Sequence, residues 1–238
     1  MQKSILITGC SSGIGVDCAE TLHAMGWKVF ASCRKQADCD RLEAMGITSP
    51  RLDHADADTI RDTIEQVKQA TGGTLDAVFN NGAFAVPGAV EDLPTDALRA
   101  IYETNVFGYH EVIRQVLPIM RAQGHGRILN CSSVLGFIAL RFRGAYNSTK
   151  FALEGLTDTL RIEMRDTGIK VIRTFCVGKS MLSLSLSIAQ SELPRRYDLI
   201  RVVNLHATVM ASGSLMHILD FWHTTSRTAL IKRIDVDN

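Results

Sequence analysis

The chain has 238 residues, 46% apolar and 21% charged, a balance that excludes disordered and fibrous classes. Lys and Arg number 26 against 25 Asp and Glu, and a net charge of +1 leaves no basic footprint for nucleic acid or an acidic membrane surface. The length suits one α/β domain with a substantial core and is too short for two.

In chain order, Ser4-Ile5-Leu6-Ile7-Thr8 is a buried-strand run, and Ile14 to Met25 has helical spacing closed by Gly26. Lys28 to Cys33 is a second strand, followed by a charged helix near Ala37 to Met45. A weak strand near Arg51 to Asp53 leads into a helix from Thr59 to Ala70, then a fourth strand over Asp76 to Asn80. Thr95 to Ala122 reads as one long helix that Pro118 should kink or fray. Arg127 to Cys131 is a fifth strand, Ala145 to Thr167 a helix closed by Gly168, and Lys170 to Cys176 a sixth strand. This β-α alternation predicts a Rossmann-type, doubly wound parallel sheet in three layers, spanning 1–238 as a single domain.

The tail differs in character. Sixteen of the 18 glycines precede residue 171. Leu182, Leu184, Leu186 and Ile188 alternate with serines, a strand-like period of two, and are expected to cover an apolar substrate. Val202 to Leu219 carries no charge but is broken by polar residues, so a partly buried helix is expected there rather than a membrane span. The six cysteines, Cys10, Cys18, Cys33, Cys39, Cys131 and Cys176, lack metal-ligand spacing and read as reduced thiols. No signal-peptide apolar region follows Met1, and a cytoplasmic location is the expectation.

The first strand runs into Thr8-Gly9-Cys10-Ser11-Ser12-Gly13-Ile14-Gly15 and a helix follows at once. Gly9 permits the sharp turn. Gly13 and Gly15 lack the Cβ atoms that would obstruct a pyrophosphate and the packing of helix on sheet. The helix N-terminus offers free N–H groups to phosphate. At the end of the second strand Cys33 stands where a ribose-binding acid would favour NAD, and Arg34 can grip a 2′-phosphate, so NADP(H) is preferred, with NAD as the lesser expectation.

Tyr146 and Lys150 share one helix face at i, i+4, and Ser133 lies just past the fifth strand. A tyrosine with a pKa of about 10 needs help to transfer protons at neutral pH, and a nearby ammonium favours its phenolate. A serine hydroxyl can fix a substrate oxygen. Asn105 sits mid-helix, where asparagine is a poor helix former. Each of these has an ordinary reading alone; together they do not.

These motifs resemble the short-chain dehydrogenase/reductase family over about residues 3 to 178: the TGxxxGxG loop, the Asn80-Asn81 pair, Asn105, Ser133 and Tyr146-xxx-Lys150. More narrowly, the cysteine-containing loop and the Ser32-Cys33-Arg34-Lys35 stretch resemble bacterial NADP-dependent aldehyde and ketone reductases. The resemblance implies a parallel sheet in the order 3-2-1-4-5-6-7 and hydride transfer between a nicotinamide cofactor and a carbonyl or alcohol. It implies Tyr146 as general acid/base and Lys150 on the nicotinamide ribose. It also implies Ser133 on the carbonyl and Asn105 holding a water. The implied cofactor set is Gly9, Ser11, Ser12, Gly13, Ile14, Gly15, Cys33, Arg34, Asp53 near the adenine amine, Asn80 near the adenine ribose, and Gly82, with Tyr146 and Lys150. Two departures stand out: Asn80-Asn81-Gly82-Ala83 inverts the usual Ala-Gly, and Cys176-Val177-Gly178 lacks the usual Pro before glycine.

The leading expectation is an NADP-dependent oxidoreductase acting on an aldehyde, ketone or secondary alcohol, in a homodimer or homotetramer. The alternative is a catalytically impaired NADP-binding protein of the same fold. A Rossmann-like methyltransferase would have no use for Tyr146 and Lys150. His206, His217 and His223 read as ordinary tail residues, not metal ligands, and no nucleic-acid or membrane partner is expected.

Overall fold

In the computed structural model, which describes residues 2–175, the apolar run Ser4–Thr8 is β1 and all of it is buried. Burial on both faces is what a central strand of a parallel sheet requires, which is why the run does not alternate with polar residues. The other strands are β2 (Lys28–Ser32), β3 (Ala77–Asn80), β4 (Gly126–Ser132) and β5 (Ile169–Phe175). All pair in parallel, in the order β2-β1-β3-β4-β5. The order switches direction between β1 and β3, so a crevice opens beyond the carboxyl ends of those two strands.

The helices are α1 (Gly13–Ala24), α2 (Gln36–Glu43), α3 (Ala57–Thr71), α4 (Thr95–Tyr102), α5 (Gly108–Gln123) and α6 (Gly144–Glu163). Ile5 and Ile7 enter one apolar cluster with Leu22 of α1 and Leu42 of α2. Leu6 enters the other with Ile64 of α3, Val116 of α5 and, at its margin, Leu160 of α6. The sheet is therefore covered on both faces, as the β-α alternation predicts. Among the described residues, no helix is long and apolar enough to cross a membrane.

Three elements differ from the sequence reading. The weak strand near Arg51 is reduced to isolated parallel bridges, Phe30 to Thr48 and Cys33 to Arg51. Pro50 stands between them without an N–H to give, and the Ser49 hydroxyl bonds the Ala31 carbonyl at 2.6 Å beside it. The long helix is not disturbed at Pro118 but widens at a π turn, Glu103–Phe107, between α4 and α5. Past Pro118, α5 continues to Gln123, because Val116, Ile119 and Met120 around it are all buried. Helix α6 ends at Glu163, short of the expected Thr167. The seventh strand, the Leu182–Ile188 alternation, the Val202–Leu219 segment and the three tail histidines lie outside the described residues.

Candidate active site

At the glycine loop the chain leaves β1 with Gly9 at φ +72°, and a Cβ there would lie 2.4 Å from Gly82 Cα. The loops after β1 and β3 touch backbone to backbone at this point. Gly9 is thus the position that must lack a side chain, while a Cβ on Gly82 would sit tightly at 3.1 Å from His54 and 3.2 Å from Gly9 Cα, and the inverted Gly82-Ala83 order leaves the contact intact. Asn81 ties the same two loops together. Its amide donates to the Thr8 carbonyl at 3.0 Å and the Gly9 carbonyl at 3.2 Å, while Thr8 Oγ1 accepts the N–H groups of Asn81 and Gly82. A Cβ on Gly15 would meet the Gly9 carbonyl oxygen at 2.4 Å, so α1 packs directly on the turn. Gly13 is different: a Cβ there would face open space.

Helix α6 carries the chemistry. Lys150 is 1% exposed, and its Nζ donates to the Cys131 carbonyl at 2.6 Å. The ammonium lies 5.5 Å from the ring centres of both Tyr146 and Tyr109. Tyr146 is half-buried. Ser133 is extended, and its Oγ accepts the Leu135 N–H at 3.1 Å. Among the described residues this hydroxyl donates to no other group, so its proton is available to a substrate oxygen. Asn147 donates to the carbonyls of Leu135 at 3.3 Å and Ile138 at 2.7 Å, fastening the loop after Ser133 onto α6.

Asn105 lies in the π turn and is fully buried. Its amide accepts the Phe84 N–H at 3.1 Å and donates to the Phe84 carbonyl at 2.9 Å and to Thr149 Oγ1 at 3.3 Å. The poor helix former is thus a side-chain clamp between the loop after β3 and α6, in the widened turn that such sites often use. His54 packs edge-on against Tyr109, ring centres 5.1 Å apart. Burial lowers its pKa to about 4, and the Lys150 charge adds to this against the opposing effects of Gly82 and Asp53. It is neutral at physiological pH.

One cleft of about 320 Å³ joins the two ends, lined by Gly9, Ser11, Ser12, Ile14, Asn81, Gly82, Ala83, Cys131, Tyr146 and Lys150. Ser133 follows the strand that carries Cys131, and Asn105 stands behind Phe84, neither among those lining residues. Asn80 is placed differently from the sequence reading. It is buried in the sheet with its amide on Asn130 Oδ1 at 2.9 Å, and its neighbour Asn81 lines the cleft. Asp53 is half-buried, its carboxylate accepting the Ala55 N–H at 3.0 Å.

Cys33 turns its thiol inward, into the core cluster that holds Cys10, Cys18 and Cys39. Burial and the neighbouring Cys39 push its pKa up to about 11. The exposed edge there is cationic instead. Arg34 is exposed, Arg51 Nε donates to the Arg34 carbonyl at 3.2 Å, and Arg41 of α2 reaches the Ser11 carbonyl of the glycine loop at 2.7 Å. Asn81, Arg41, Tyr109 and His54 are residues the sequence reading missed. Two of them left a signal: Asn81 as the second member of the Asn80-Asn81 pair, and Tyr109 four residues past Asn105 on a helical run. Among the described residues, no three His, Cys, Asp or Glu side chains are grouped to hold a metal.

A switch-point cleft with a glycine loop at one end and a buried lysine beside a tyrosine at the other defines a Rossmann-type nucleotide-binding protein. The chain belongs to the short-chain dehydrogenase family, whose model matches residues 3–179. It is 40% identical over 171 residues to the uncharacterized oxidoreductase YbbO of Escherichia coli, a match covering 72% of this chain and 64% of that protein. The matched stretch is thus just under two thirds of that relative's length. A short-chain dehydrogenase of Streptomyces avermitilis superposes with a TM-score of 0.72 at 26% identity, covering 95% of this chain and 98% of that one. A gluconate 5-dehydrogenase of Burkholderia cenocepacia, solved with NADP and tartrate, superposes with a TM-score of 0.66 at 25% identity, covering 74% and 71%.

Proposed function

We propose that this chain is an NADP(H)-dependent oxidoreductase acting on an aldehyde, ketone or secondary alcohol, with Tyr146 as general acid/base. The observation that carries the reading is a cleft lined by Ser11, Ser12 and Ile14 at one end and Tyr146 and Lys150 at the other. The residues fit a dinucleotide. Gly13 leaves open space at the start of α1, and Ser12 caps the helix with its main chain while its hydroxyl makes no capping bond. Gly9, Ser11, Ser12, Gly13, Ile14 and Gly15 would hold the pyrophosphate, Asn81 and Gly82 the adjoining ribose, and Asp53 the adenine side. A 2′-phosphate would meet Arg34 and Arg41, and this cationic edge supports NADP over NAD. The buried Cys33 would contribute main chain only.

When bound, the nicotinamide supplies or accepts the hydride. In reduction Ser133 donates a hydrogen bond to the substrate oxygen as negative charge grows there, and Tyr146 transfers the one proton that neutralises it. Lys150 places a positive charge over the Tyr146 ring, which favours the phenolate left behind. The Cys131 carbonyl holds the ammonium in place. Oxidation runs the same transfers in reverse. The reading is tested by following NADPH oxidation over aldehydes and ketones of graded size, with calorimetric titration of NADPH and NADH. Turnover of at least one carbonyl class and tighter binding of NADPH are expected. NADPH binding without turnover across the panel would leave a nucleotide-binding protein.

A further inference from the structure

Tyr146, Lys150, Glu154 and Asp158 follow one another at i, i+4 along α6 and so form one ionisable stripe. The first two are the proposed chemical pair. Glu154 has no part in that chemistry, yet it is as buried as a core residue, at 7% exposure. Its Oε2 accepts from Arg173 Nη1 of β5 at 2.9 Å, and the same Nη1 reaches Asp158 Oδ1 at 2.8 Å. Among the described residues neither Glu154 Oε1 nor the Ser132 hydroxyl makes a hydrogen bond of full geometry, though the hydroxyl stands near enough to act on the carboxylate. Both lie under the turn that follows Ser133. A Cβ built on Gly136 would come 3.0 Å from Glu154 Cγ, 3.1 Å from Ser132 Oγ and 3.2 Å from the Lys150 carbonyl. Arg173 also stacks on Phe137 in that loop, 5.6 Å from its ring centre.

A buried ion pair is a poor way to gain stability, and an unsatisfied carboxylate oxygen is a cost. An apolar residue would fill this site more cheaply. Burial pushes the Glu154 pKa up, while the Ser132 hydroxyl and Arg173 pull it back and Asp158 raises it again. The charged and titratable groups around the stripe are Lys150, Asp158 and Arg161 on α6, Arg161 Nη1 donating to Asp158 Oδ1 at 2.5 Å, with Arg173 on β5 and the Ser132 hydroxyl on β4. Tyr109 of α5 and the neutral His54 stand behind Lys150.

We propose that Glu154 is a positioning residue whose carboxylate, pinned by Arg173 one helical turn beyond Lys150, sets the phenol–ammonium balance of the Tyr146–Lys150 pair. Its negative charge steadies the Lys150 ammonium and opposes a Tyr146 phenolate, which keeps Tyr146 protonated as a donor for reduction. Arg173 offsets part of that charge and couples it to the turn presenting Ser133. The inference rests on the proposed role of Tyr146.

The test is ultraviolet phenolate titration of the chain without nucleotide, the Tyr146 signal being isolated by difference against Tyr146→Phe. Two helical turns separate Tyr146 from Glu154. A unit charge at that distance and an effective dielectric near 20 moves a titration by on the order of one pH unit. Glu154→Gln should therefore lower the Tyr146 midpoint by on the order of one unit. Arg173→Met should raise it, and Glu154→Asp, which keeps the charge, should restore the wild-type midpoint. The alkaline limb of carbonyl reduction should move in the same directions. Midpoints unmoved in folded Glu154→Gln, or moved the same way by Glu154→Gln and Arg173→Met, overturn the proposal and leave a merely structural pair. Should Glu154→Gln not fold, Arg173→Met decides alone: an upward shift supports the proposal, and none or a downward one overturns it. A wild type that reduces no carbonyl defeats the reductase reading, while the titration still judges this one.

Discussion

The two ends of the cleft are built from different material. At the glycine loop the contacts run between main chains: Gly9 against Gly82, Gly15 against Gly9, Asn81 onto two carbonyls. At α6 they run from side chains: Lys150 onto Cys131, Asn105 onto Phe84, Asn147 onto the loop after Ser133. The first end depends on atoms that are absent, and so tolerates no added Cβ at Gly9 or Gly15 and leaves little room for one at Gly82. The second depends on functional groups that are buried and held, and so should tolerate removal of one group with the fold intact. Binding and chemistry ought therefore to separate under mutation.

The sharpest break is at the chemical end. Tyr146→Phe should lose on the order of 10²- to 10⁴-fold in turnover, the scale of a positioned general acid, with NADPH affinity unchanged. Steady-state kinetics beside fluorescence titration of NADPH measure the two. A variant at full rate would remove Tyr146 from the reaction.

At the other end, Gly9→Ala puts a Cβ 2.4 Å from Gly82 Cα at a positive φ. Left-handed strain and overpacking together should cost about 2–4 kcal/mol of stability and abolish NADPH binding. Gly13→Ala provides the contrast, because its Cβ meets no protein atom. It should pay only the strain of its φ of +63°, about 1–2 kcal/mol, yet still weaken NADPH binding. Urea unfolding and calorimetry distinguish the two, and equal stability losses would undo the account of the loop.

His54 lies between the ends, under Gly82 and against Tyr109. Its folded pKa of about 4 lies below the ordinary 6.5, so the unfolded chain takes the proton first as pH falls. Stability is full above pH 6.5 and declines through the window down to about 4. The loss from this residue between pH 7 and pH 5 should be about 2 kcal/mol. Urea midpoints of wild type and His54→Phe at the two pH values measure it. A variant with the same pH slope as wild type would assign the loss elsewhere.

The smallest effect belongs to the cationic edge. Arg34→Ala and Arg41→Ala should each weaken NADPH about tenfold, the loss of one charge-assisted contact, and leave NADH nearly unchanged. An equal loss for both nucleotides would make Arg41 a support of the Ser11 loop alone. A carboxylate at Cys33 would be a poor probe, since that side chain is buried among thiols.

The difference between the ends also explains how much could be read before folding. The glycine loop is contiguous, Tyr146 and Lys150 are four residues apart on one helix, and the buried strands announce themselves as apolar runs. Local chemistry alone accounts for these. Asn80 and Asn81 could not be told apart, because which amide faces the cleft depends on the register of β3 against β4, Asn80 opposite Asn130. Cys33 was legible as a position and not as an orientation. The π turn was invisible, since its partner, Phe84, lies 21 residues upstream. Pro118 misled for the opposite reason: a local rule against proline in a helix yielded to the burial of its neighbours.

By itself, then, the sequence determined the β-α alternation, the glycine turn and the Tyr–Lys spacing, because strand burial, left-handed φ and helical periodicity act within a few residues. Tertiary structure decided which asparagine enters the cleft, where the long helix widens, which cations line the nucleotide edge, and that Glu154 lies beneath Ser132 and beside Arg173. Those are contacts between elements distant in the chain, and only the packing of α6 and the paired strands brings them within reach.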